Sequence, residues 1–321
     1  MQSLEISILK TVTYFDVFNY PLTIDEIIFF LDCSATEKET SAALNNLIRN
    51  KQLWQFDHFY SLKNEPSIVS RRIKGNKLAV NHIKKARSVA KFLSWMPYIK
   101  GIAISGSLSK NFADENSDLD FFIITKANRL WIVRIMYSVL YKIACAARMK
   151  EWFCLNYFID ELDLKVKEQN IFTAVEISTL MPLKGKAVFN NFFEANNWVF
   201  QYQPNCMPNY TCMKDKAPVI PKQFAEWIMN AEFGNKFDDK LLAIFKKRFE
   251  RILAENKLSD KGLTIGAFEA SKHACRPMAE YFQPKILNKF HERFTIVKNK
   301  YWEIKNKEAL IWKKRTANEI N

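Results

Sequence analysis

The sequence predicts an α/β (α+β) core with a mixed sheet, flanked by an N-terminal module of three helices and a hairpin and by an all-helical C-terminal domain. Three observations predict it. Residues 101–125, GIAISGSLSKNFADENSDLDFFIIT, read as two apolar strands separated by a bend at Gly106-Ser107 and a polar excursion. Residues 128–148 carry a long apolar helix that delivers a third strand, WFCLNYFID, over 152–160. The last hundred residues show helical periodicity, with helices expected over 221–232, 238–256, 264–272 and 282–314. Domain boundaries follow at 1–65, 66–203 and 204–321, the last in the polar, proline-containing stretch Pro204 to Pro221.

In chain order, Leu4, Ile8, Leu9, Val12 and Phe15 recur at helical spacing. Tyr20-Pro21-Leu22 breaks the chain, and Thr23 is placed to cap a second helix with Asp25 and Glu26 in its first turn. A third helix from about Thr36 to Asn50 should bury Ala42, Ala43, Leu44, Leu47 and Ile48. QLWQFDHFYSL then alternates like a hairpin turning at Asp57-His58. Three helices and a two-stranded wing resemble a winged helix-turn-helix.

The charges oppose a DNA-binding use of that module. Residues 1–65 hold 5 Lys/Arg against 9 Asp/Glu, whereas phosphate neutralisation supplies most of the affinity for DNA. A docking or substrate-positioning role is expected instead. Residues 66–100 invert the balance, with 9 basic and no acidic side chains. They read as a basic helix whose apolar stripe (Ile68, Ile73, Leu78, Ile83, Val89, Phe92) packs on the sheet, leaving a solvated or polyanion-facing side. Residues 101–213 balance at 11 against 11, and the rest of the net charge of +14 lies in the C-terminal third.

The 25-residue stretch around Gly106 is where chemistry concentrates. Asp118 and Asp120, two apart on a strand, point the same way, and an acidic pair there is costly unless a cation offsets it. Hard oxygen ligands suit Mg²⁺, with Mn²⁺ the alternative. Glycine permits a bend that other residues avoid, and amides freed at it, with the Ser107 hydroxyl, can cradle phosphates. The two halves together suggest a nucleoside triphosphate held through its phosphates and a metal.

Gly106-Ser107, ten intervening residues and then Asp118-Leu119-Asp120 resemble the signature of the nucleotidyltransferase superfamily, which includes DNA polymerase beta, the CCA-adding enzymes and aminoglycoside nucleotidyltransferases. The resemblance spans roughly residues 85–165. It implies that Gly106 and Ser107 hold the triphosphate, with Ser109, Lys110 and Asn156 as further nucleotide contacts, and that Asp118 and Asp120 bind metal. The family usually places a third carboxylate on the next strand. Here Asn156 stands at its centre, and Asp160, of the same parity, is the remaining candidate. The implied reaction is metal-dependent transfer of a nucleoside monophosphate from an NTP to a hydroxyl of a small molecule, RNA or protein. If Asn156 replaces the third acid, a catalytically weak nucleotide-binding regulator is the alternative, and a winged-helix DNA-binding regulator a more distant one.

Other features narrow the setting. Residues 130–147 are apolar, but Arg134 and Lys142 interrupt them, so a buried crossover helix is expected rather than a membrane span. MQSLEISILK lacks a basic stretch followed by an apolar run, so no signal peptide is expected. Six cysteines without framework spacing fit reduced thiols and a cytoplasmic location. Glu176 is expected in a salt bridge or cap, with a substrate contact as the other reading.

Overall fold

The structure, a computed structural model, describes residues 3–115, 117–207, 232–258, 268–277 and 282–319. Capping chemistry opens the chain. The Ser3 hydroxyl accepts from the Ile6 N–H at the start of α1 (Leu4–Asp16). Thr23–Glu26 and Thr36–Glu39 form reciprocal capping boxes on α2 (Ile24–Phe30) and α3 (Glu37–Arg49). The hairpin β1 (Trp54–Phe56) and β2 (Phe59–Ser61) turns through Asp57 at φ 55°. The element order is thus three helices and a hairpin. Leu44 and Leu47 are buried as expected, whereas Ala42 is exposed.

The basic segment forms α4 (Pro66–Leu93), started by proline at its first position. Ala79, Ala86 and Ala90 are fully buried, and such small side chains let the helix lie close on the sheet. At Gly75 a Cβ would stand 2.2 Å from the Phe112 ring, so only glycine admits that ring.

Six strands follow: β3 (Ile99–Ile104), β4 (Asp120–Thr125), β5 (Cys154–Asp160), β6 (Met181–Lys184), β7 (Phe268–Ala270) and β8 (Ala274–Pro277). Their spatial order is β6-β3-β4-β5-β8-β7, with only β4 and β5 parallel. A parallel neighbour needs a crossover, which α6 (Leu130–Ala146) supplies. Arg134, buried within α6, lies over the Phe158 and Phe245 rings. No helix among the described residues is long and apolar enough to cross a membrane.

Alternation along the strands splits the core into two layers. Ile102, Ile104, Phe121, Ile123 and Phe158 meet α4, α6 and α9 (Glu232–Leu258). Ala103, Phe122, Ile124 and Ile159 meet α7 (Ile171–Ser178) and α8 (Lys186–Ala195), whose Phe189 and Phe192 are fully buried. The last helix, α10 (Phe282–Glu319), packs on α1, placing Phe290 and Tyr301 in the N-terminal core.

The C-terminal third differs from expectation at one element. The helix expected over 264–272 is not formed from Phe268 onward, where β7 and β8 extend the sheet beside β5. Residues past 204 also close the core, through Leu241, Phe245 and Phe249. Asp238 of α9 accepts from the Trp131 and Ile132 N–H groups at the start of α6. Burial raises its carboxyl to about 6 against the pull of those N–H groups. The helix expected over 221–232 and Cys212 lie outside the described residues, Glu232 excepted; the other five cysteines are free thiols.

Candidate functional site

The site lies where β3 ends beside the start of β4. The Ser105 N–H donates to the Asp120 carbonyl at 3.0 Å, and the chain then turns through Gly106 at φ +68°. A Cβ on Gly106 would stand 2.4 Å from Asp120 Oδ2. Both the dihedral and the close approach therefore demand glycine, and they bring the bend and the carboxylate into one place.

One short turn, α5 (Gly106–Ser109), follows. Ser107 is exposed, and its carbonyl accepts the Lys110 and Phe112 N–H groups at 3.0 and 3.2 Å. Ser109 folds back: its hydroxyl donates to the Gly106 carbonyl at 2.8 Å and lies 3.3 Å from the Thr179 hydroxyl. Lys110 Nζ donates to the same carbonyl at 3.0 Å and to Glu176 Oε1 at 2.8 Å. The turn is thereby tied to α7, and a cation and a carboxylate stand at its edge. From the other side, the Tyr20 hydroxyl donates to the Lys110 carbonyl at 2.5 Å, and Arg72 Cζ sits 3.7 Å over the Tyr20 ring while pairing with Glu26. The N-terminal module is docked on the loop that carries the turn.

Asp120 opens β4, and Asp118 lies just before the strand rather than inside it. The two still flank a buried Leu119, whose N–H donates to the Glu151 carbonyl. Asp118 is exposed and Asp120 half-buried. Burial is the largest influence on Asp120. A hydrogen bond from the Cys154 thiol and the charge of Lys110 oppose it, while Glu176 and Asp118 reinforce it. The net effect raises the carboxyl to about 6. Cys154, paired with Asp120 across the parallel ladder, has its thiol pushed far up by burial and by Asp120, so it stays a neutral donor.

The third-carboxylate expectation needs correction at Asp160. Asp120 pairs with Cys154 and Phe121 with Leu155, but Phe122 pairs with Tyr157. Asn156 is therefore an extra residue, a bulge, and side-chain parity reverses beyond it. Asp160 consequently aligns with Thr125, at the far end of the ladder and on the opposite face from Asp120. Five residues of strand put roughly 17 Å between the two ends. Asp160 is fully buried, accepting from the Asn128 N–H (3.0 Å) and Leu162 N–H (2.9 Å), with His273 Nδ1 at 2.8 Å. It organises the β5 end and the loop before α6 and cannot reach the bend. The backbone of Asn156 lies in β5, near the Asp120 end, and its side chain is outside what the structure describes.

The structure thus brings together Gly106, Ser107, Lys110, Asp118 and Asp120, keeps Ser109 as a brace of the turn, and sets Asp160 apart. Sequence reasoning missed two neighbours of Asp120. Cys154 meets Asp120 only through the parallel pairing of β4 with β5, which a lone thiol on a strand does not announce. Glu176 was read on α7 alone, and its approach to Asp120 depends on β6 pairing with β3, a contact between distant segments.

A mixed sheet covered on both sides, with a tight glycine turn packed on the acidic start of a strand, places the domain in the α/β class with its site at one end of the strands. Residues 86–195 match the family model described as nucleotidyltransferase domain, and the chain carries such a domain there. The match runs from the second half of α4 through α8 and contains every residue gathered around Gly106. No curated protein and no solved structure matches the chain.

Proposed function

We propose that the chain transfers a nucleoside monophosphate from an NTP to an acceptor hydroxyl and releases pyrophosphate. The observation that supports it most is that the Gly106 bend packs directly on Asp120, a Cβ there falling 2.4 Å from the carboxylate, which gives the amides of the turn and a carboxylate one address. In this reading the amides of the Gly106 turn and the Ser107 hydroxyl receive phosphate oxygens, and Lys110 turns from Glu176 to balance their charge. The acceptor oxygen attacks the α-phosphorus, the bond to the bridging oxygen breaks, and pyrophosphate leaves. Glu176, set free by Lys110, is positioned to take the acceptor's proton.

The donor set decides which metal the site could hold. Among the described residues no group of three or more His, Cys, Asp or Glu side chains is placed to hold one. Asp118 and Asp120 alone match the way Mg²⁺ or Mn²⁺ is held by one or two carboxylates plus substrate phosphates and water. Bound there, the ion would supply charge neutralisation on the triphosphate. Facing Asp120 on β5 stands the Cys154 thiol, a soft group that suits Mg²⁺ poorly as a further ligand.

Cys154 also favours a second reading, a protein that binds nucleotide and turns it over poorly or not at all. Incubation with α-labelled NTPs and Mg²⁺, followed by label transfer to the protein and pyrophosphate release, separates the two. Release above the Asp118→Ala background supports transfer. Binding without release supports the second reading, and neither binding nor release overturns both.

A further inference from the structure

The outward side of α4 is an unused charged surface. Lys77, Lys84, Lys85, Arg87 and Lys91 are exposed on a segment, 66–100, that contains no acidic residue. The basic residues nearer its start are spoken for: Arg71 pairs with Asp114, Arg72 with Glu26 and Lys74 with Glu115. Lys77, Lys84, Arg87 and Lys91 form no such pair among the described residues, and Lys85 stands 5.7 Å over the Trp152 ring. Lys77, Lys84 and Lys91 fall two turns apart, so they form one stripe about 21 Å long. Beyond its end lie Phe92 and Trp95, 54% and 52% exposed.

Two exposed aromatic rings at the end of an unpaired cationic stripe call for a partner with regularly spaced negative charge and flat apolar groups. A membrane-surface helix would need its apolar side turned outward, but in α4 that side (Ala79, Ala86, Val89, Ala90, Leu93) is buried on the sheet. A nucleic-acid single strand offers both phosphates and unpaired bases, and base stacking on aromatic side chains tolerates any sequence. We propose that this face of α4 binds single-stranded nucleic acid, with phosphates along Lys77, Lys84, Arg87 and Lys91 and bases against Phe92 and Trp95. It rests on the surface alone and stands separately from the nucleotide site.

Fluorescence anisotropy of a labelled 20-nucleotide uridine oligomer against the full chain tests it. Four neutralised phosphates give a slope of log affinity against log salt of about −3. The joint substitution Lys84→Glu, Arg87→Glu and Lys91→Glu should weaken binding more than tenfold and flatten that slope. Phe92→Ala with Trp95→Ala should weaken it about tenfold with the slope retained. Thermal unfolding and Mg²⁺-dependent NTP binding should be unchanged in both variants, which separates loss of this surface from misfolding. Absent binding, or equal affinity in the charge-reversed variant, overturns the proposal. So does equal or tighter binding to phosphatidylserine vesicles or to an acidic peptide.

Discussion

The two ends of the β4–β5 pair each carry a buried or half-buried aspartate, and the two are treated in opposite ways. Asp160 has three donors directed at it, two N–H groups and His273, and is enclosed. Asp120 has a weak thiol donor, two acidic neighbours and a glycine bend pressed against it, and its carboxyl is raised to about 6. Burial alone therefore does not mark a working acid. What distinguishes the candidate site is a carboxylate with a weak donor and two acidic neighbours set against a glycine bend, a state that a cation and phosphates would relieve.

The largest expected effect lies at the structural end. Asp160→Ala strands the Asn128 and Leu162 N–H groups and His273, and should cost about 3–5 kcal/mol in denaturant unfolding. The slope with denaturant should be unchanged, and Mg²⁺-dependent NTP binding by the folded fraction should persist. At the other end the sign reverses. The folded Asp120 carboxyl sits near 6 against an ordinary 3.8, so stability is fully present below 3.8 and declines as pH rises through 6. Asp120→Asn removes that decline, and should stabilise the protein by about 1–2 kcal/mol at pH 8 with no gain at pH 3.5. Thermal melts across that range check it.

Lys110→Ala breaks the link between the turn and Glu176 and removes a cation from beside the turn. NTP affinity should fall about tenfold, with Lys110→Arg recovering part of it, as read by calorimetric titration. The smallest effect belongs to Cys154→Ser. A hydroxyl can still donate to Asp120, so stability should change by less than about 1 kcal/mol and NTP binding twofold or less. A large loss would show that Cys154 does more than donate that hydrogen bond.

Much of this was legible in the chain. The bend at Gly106 carries its geometry in the sequence, because a glycine turn closing a strand is a local matter, whereas β4 begins only at Asp120, so strand alternation does not place Asp118. The cap at Thr23 and the crossover helix are local too. The bulge at Asn156 was not legible, since an extra residue in a strand is defined only by its partner, and it reversed the parity argument that had put Asp160 in the site. β7 and β8 are short strands, three and four residues, whose pairing with each other and with β5 supplies what their patterning lacks. Glu176 reaches the site through the packing of α7 beside β6, which no local pattern records.

In the proposed reading Gly106, Asp118 and Asp120 make one metal-assisted nucleotide pocket. Titration of the chain with a non-hydrolysable NTP analogue, with and without Mg²⁺, tests it directly alongside Asp118→Asn and Asp120→Asn. The predicted result is Mg²⁺-dependent binding in the native protein that is lost in either variant while Asp160→Asn retains it. Equal binding with and without Mg²⁺, or undiminished binding in both site variants, would contradict it.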